Sequence, residues 1–159
     1  MNNKKLKHII SYLLENDEDR QAKAREILNI LFLSDWKSAI TRDGRTISKS
    51  RWRLRRGVSP DSKDFWGALN SKYFIIEKKD SNEENWIIKI VSLNNSSEIS
   101  KEEKSIIDFV QKYISDNNVN SDALVSKTFP VFTNSDDSEV DINLETASHE
   151  YVNQVRENI

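Results

Sequence analysis

A chain of 159 residues is long enough for one domain with a real core, whereas two independent domains sharing that length would each be marginal. With 36% hydrophobic and 31% charged residues the composition is that of a soluble globular protein, and no apolar run approaches the ~18 residues of a membrane span. A net charge of −2 argues against a protein built to coat nucleic acid, and the absence of cysteine excludes disulfides and thiolate metal sites, in keeping with a cytoplasmic location.

Near the start, Leu6, Ile9, Ile10, Leu13 and Leu14 recur at helical spacing and predict an amphipathic helix over Asn3 to Glu15 rather than a signal peptide, since no small-residue cleavage site follows. The polar stretch Asn16 to Asp19 reads as a break and as the N-cap of the next helix. That helix, centred on Ala24 to Ile40, is apolar most of the way round. An apolar arc wider than the roughly 100° of a surface helix must be packed on several sides, so this is the expected central helix. Asp35, next to Trp36, is its misfit: a carboxylate in such a place needs hydrogen-bond donors or an arginine from the following segment.

Asp43-Gly44 is a turn signal that ends the helix. In Ser50 to Arg56 the arginines alternate with Trp52 and Leu54 at a period of two, as in an extended segment or the edge of a short helix. Ser59 followed by Pro60 has the N-cap and first-turn chemistry of a new helix, whose apolar side is Phe65, Trp66 and Leu69. Tyr73 to Lys78 and Asn85 to Leu93 flank a polar connection and predict a β-hairpin. After the polar loop Asn94 to Glu98, Ser100 with Glu103 makes a capping box for a helix carrying Ile106, Ile107, Val110, Tyr113 and Ile114, which Asn117-Asn118 ends. Asn120 or Ser121 caps a short helix running to Lys127, Pro130 terminates it, Thr133 to Glu139 reads as a mobile loop, and a last helix spans about Asn143 to Glu157. The expected architecture is mostly α (α+β): one domain over 1–159 of about six helices and one small β-hairpin, with a helical core over 3–70, the hairpin over 73–93 and C-terminal helices over 100–157.

Catalytic signatures are missing. The two histidines, His8 and His149, have no ligand-spaced partners, and Gly44, Gly57 and Gly67 are too few for a phosphate-cradling loop, so no enzyme activity, cofactor or metal is expected. What stands out is Arg51, Arg53, Arg55 and Arg56, four guanidinium groups within six residues of an acidic chain. Such a cluster either pairs with the chain's own acids or faces an acidic partner surface. Trp36, Trp52, Trp66 and Trp86 read as core residues, although tryptophan and arginine together also mark protein interfaces.

The order of these features resembles the Panacea domain of SocA-like bacterial and phage antitoxins. In that family an apolar helix of the type LLYLAD is followed by a Gly-Arg turn, an aromatic-containing segment and a YGPV-like break. Leu28 to Asp35 matches the first, with Trp36 beside it; Gly44-Arg45-Thr46-Ile47 matches the second and Arg51-Trp52 the third. Arg56-Gly57-Val58-Ser59-Pro60 departs from the fourth, keeping Gly57 but placing Pro60 three positions on and an arginine where an aromatic is usual. The likeness continues through a serine-capped helix, the proline-bearing stretch Lys127 to Phe132 and a last helix. It implies a chain that neutralises a protein toxin by direct binding and can act as an adaptor that hands the toxin to a protease. The competing reading is a winged helix that binds DNA through Ser59 to Asn70, but Asp61 and Asp64 there oppose phosphate, so a nucleic-acid partner is not expected.

Overall fold

The computed structural model describes residues 4–55, 59–91, 98–128 and 140–157. The predicted loop at 133–139, the proline stretch beyond Thr128, the 94–97 part of the polar loop, Leu93, Arg56 and Gly57 lie outside those residues. Helix α1, Lys4–Glu15, buries Leu6, Ile9, Ile10, Leu13 and Leu14 as its periodicity predicts. Helix α2, Ala24–Thr41, is buried from Leu31 through Trp36 without a break. A helix that is apolar all round belongs at the centre of a domain, and α2 occupies that place. It does not start from the predicted cap. Residues 16–20 form turns that end with Arg20 at φ 54°, and Lys23, the residue before the helix, offers no side-chain cap.

The expectation of a helical domain with a single hairpin is corrected by the strands. Two three-stranded antiparallel sheets are present among the described residues, alongside six α-helices, so the fold is α+β. The predicted hairpin forms from β4, Phe74–Glu77, and β5, Ile87–Ile90, but β1, Gln21–Lys23, adds itself to the other edge of β5 with Ala22 opposite Ile88. The second sheet has β2, Trp52–Arg55, at its centre, between β3, Ser59–Asp61, and β6, Val140–Ile142. Thus the Ser59-Pro60 pair enters a strand, and α3 begins only at Lys63 and runs to Leu69. Pro60 is tolerated because β3 is an edge strand, where a missing N–H breaks no ladder.

Three more helices close the core. Helix α4, Lys101–Asp116, starts with the predicted capping box of Ser100 and Glu103. Asn120 Oδ1 accepts from the Asp122 and Ala123 amides at the start of α5, Ser121–Thr128. Asn143 accepts from the Thr146 amide at the start of α6, Leu144–Glu157, which sets Tyr151 edge-on to Trp36 at 5.6 Å between ring centroids. α4, α5 and α6 all pack on α2. No helix among the described residues is long and apolar enough to cross a membrane.

Candidate functional site

Asp35 is 1% exposed and lies under the segment that leads into β2. Its Oδ1 accepts from the Ile47 and Ser48 amides, both at 2.9 Å. Its Oδ2 accepts from the Ser48 hydroxyl and, at 2.9 Å, from the Trp52 indole N–H. Among the described residues no arginine reaches it; of the two kinds of holder the sequence allows, local neutral donors are the ones seen. Burial raises the Asp35 pKa, and its hydrogen bonds pull it back only in part. The carboxylate fastens 47–52 onto α2, which is a structural task.

Gly44 serves the same fastening. Its φ of +85° favours glycine, and a Cβ there would stand 2.7 Å from Glu145 Cγ and 3.0 Å from His149 Nε2. The turn can therefore sit tight against α6, with His149 Nε2 at 3.4 Å from Asp43. Arg45, exposed, hydrogen-bonds the Arg42 carbonyl at the end of α2. Asp35, Gly44, Arg45 and Trp52, scattered in sequence, thus meet around one turn, whereas Trp36 faces Tyr151 of α6.

The arginines alternate in β2 as predicted, with Trp52 and Leu54 buried between them. Their charges meet the chain's own acids. Arg53 stands directly across from Asp61 in the β2–β3 register and reaches it at 3.0 Å, while Arg55 approaches the same carboxylate at 3.1 Å. Trp66 donates its indole N–H to the other Asp61 oxygen at 2.9 Å. Burial alone would raise the Asp61 pKa, but the hydrogen bonds from Trp66 and Arg53 and the charges of Arg55 and Arg53 outweigh it and hold the carboxylate below its usual range. Arg51 grips Asp64 with Nη2 at 2.8 Å and also donates its backbone amide to Asp64 at 2.8 Å. For Asp64, too, burial is outweighed by the Arg51 bonds, and its pKa is lowered. Gly44, Arg51, Trp52 and Arg53 line a cleft of about 650 Å³ whose opposite wall carries Asp141 and Glu145, so it offers both signs of charge.

A second concavity was missed by the reading of the sequence. Leu33, Trp36 and Ile40 of α2, Phe109, Val110 and Tyr113 of α4 and Leu124 of α5 line a groove of about 310 Å³ that is almost wholly apolar. On its rim Phe109 and Tyr113 are 53% and 43% exposed, with their rings stacked 6.3 Å apart. The signal was available: Phe109 and Tyr113 are four residues apart on α4, the spacing that puts two side chains on one helix face. Among the described residues no three histidine or acidic side chains converge as metal ligands. Compared with known proteins, the chain matches no family model, no curated protein and no solved structure.

Proposed function

We propose that this chain is an antitoxin-like binding protein that neutralises a partner protein toxin by direct contact and can present it to a protease as an adaptor. The observation that supports the reading is the exposed Phe109–Tyr113 pair above an apolar groove. Aromatic side chains at the rim of a concave apolar surface are the usual anchors of a protein interface, and their exposure is otherwise unfavourable. The likeness of the Leu28–Asp35, Gly44–Ile47 and Arg51-Trp52 segments to the Panacea domain points to the same class of partner. Because Arg51, Arg53 and Arg55 are offset by Asp61 and Asp64, the aromatic rim rather than the arginine segment is the principal contact surface in this reading.

Co-expression with the protein encoded in the adjoining reading frame is the test. Growth should be restored and a complex should co-purify, and Phe109→Ser combined with Tyr113→Ser should remove both while the far-UV spectrum is unchanged. If every neighbouring candidate stays lethal and no complex forms, the chain is not an antitoxin.

A further inference from the structure

Among the described residues the groove between α2, α4 and α5 has one charged lining residue, Lys37. Its ammonium lies 4.3 Å from the centroid of the Phe109 ring, and among the described residues no carboxylate pairs with it. Lys37 is half-buried, and its ammonium can rest on an aromatic face because water still solvates the rest of the charge. Anything that covers Phe109 removes that water. A covered ammonium is tolerated only with a counter-charge, so whatever docks here must bring a carboxylate next to its apolar contacts.

Shape narrows the occupant further. Roughly 150 Å³ of apolar space holds a benzene-sized group. The groove, at about 310 Å³, therefore has room for two large side chains. Its walls are helices, and Phe109 and Tyr113 form a stripe at helical spacing, which an incoming helix complements by inserting its own i and i+4 side chains. We propose that the groove receives an acidic amphipathic helix of the partner protein, two apolar side chains one turn apart filling it and a flanking carboxylate meeting Lys37. This rests on the protein-binding reading above and names the chemistry of the partner. A second copy of this chain does not suit the site: a two-fold contact lays the patch on itself and would bring two Lys37 ammonium groups into one apolar interface.

Two labelled helical peptides, alike in a Leu and a Phe at i and i+4 and differing only in a flanking Glu or Lys, are the probes, titrated into the full chain and followed by fluorescence anisotropy. The Glu peptide should bind at least about ten-fold more tightly than the Lys peptide, and Lys37→Glu should invert that order. Phe109→Ser should weaken both. Equal binding of the two peptides, binding of neither, or an order that Lys37→Glu leaves unchanged would overturn the proposal. So would self-association that Phe109→Ser abolishes. The co-expression assay separates this from the toxin reading. Inverted peptide preference without any protection from a toxin keeps the groove and removes the toxin, whereas protection and complex formation that survive both Lys37→Glu and Phe109→Ser place the toxin elsewhere and remove the groove.

Discussion

Asp35 and Asp61 are both 1% exposed, and each accepts an indole N–H at 2.9 Å, from Trp52 and from Trp66 respectively. Their pKa values nevertheless move in opposite directions, up for Asp35 and down for Asp61. Asp35 lies deeper and is desolvated more strongly, and the remaining partners act in the same direction. Among the described residues Asp35 has neutral donors alone, Ile47, Ser48 and Trp52, which orient the carboxylate without supplying a full positive charge. Asp61 has Arg53 and Arg55. Equal surface exposure and equal hydrogen bonding to tryptophan do not decide a carboxylate's charge state; the depth at which it is desolvated and a cation within reach do.

The largest effect expected on this pair is from Asp35→Ala, which strands two backbone amides and an indole N–H inside the protein. Each buried donor left unsatisfied costs on the order of 1–3 kcal/mol, so the variant should lose about 3–5 kcal/mol in chemical denaturation. A loss no greater than that of an ordinary surface substitution would mean that the 47–52 segment finds other partners. Asp61→Ala should cost less, about 2–3 kcal/mol, because Arg53 and Arg55 keep 18% and 38% of their side-chain surface in water and can turn outward.

Gly44→Ala probes the Asp35 side from the neighbouring turn. The positive φ and the contact with Glu145 should together cost about 1–2 kcal/mol, and the cost should be less than additive with Asp35→Ala, since both changes loosen the same turn. Strict additivity in that double-mutant cycle would separate Gly44 from the carboxylate.

Acid titration sharpens the contrast without removing a contact. Asp61 and Asp64 have folded pKa values below their ordinary 3.8, so the stability they contribute is complete above about pH 4 and lost as the pH falls through the folded values. Asp35 has the opposite sign: its raised pKa makes the folded state take up a proton before the unfolded chain does, so its part of the stability rises as the pH falls toward 3.8. Measured between pH 6 and pH 2 (roughly the carboxylate range), unfolding free energies should fall less steeply in Asp61→Asn and more steeply in Asp35→Asn than in the unaltered chain. Identical slopes in the three proteins would contradict both assignments. Arg51→Ala should have the smallest effect on the denaturation midpoint, since the Arg51 side chain is 78% exposed and the backbone amide still donates to Asp64.

Several helix features were legible from local signals. The periodicity of α1, the all-round apolarity of α2 and the Ser100–Glu103 capping box each depend on residues within a turn or two of one another, and each appears in the structure. The alternation of arginine with Trp52 and Leu54 suited either an extended segment or the edge of a short helix, and the structure has the first. The need of Asp35 for donors from the segment after Gly44 was also readable, because a carboxylate in an apolar helix has to be satisfied and the chain turns back there.

Which partners those local features met could not be read the same way. Gln21–Lys23, Ser59–Asp61 and Val140–Ile142 are strands of three residues, too short for any alternation to mark them, and they are strands because β5 and β2 offer them hydrogen-bonding edges from elsewhere in the chain. Ser59-Pro60 has the chemistry of a helix start, yet Arg53, Arg55 and Trp66 converge on Asp61, and that convergence draws the residue into register with β2 instead. The four arginines could face a partner or the chain's own acids. Composition determined that so much positive charge needs neutralising, whereas the pairing of β2 with β3 decided that Asp61 would supply it to Arg53 and Arg55, because a strand's hydrogen bonds, unlike a helix's, are all made to residues outside the segment.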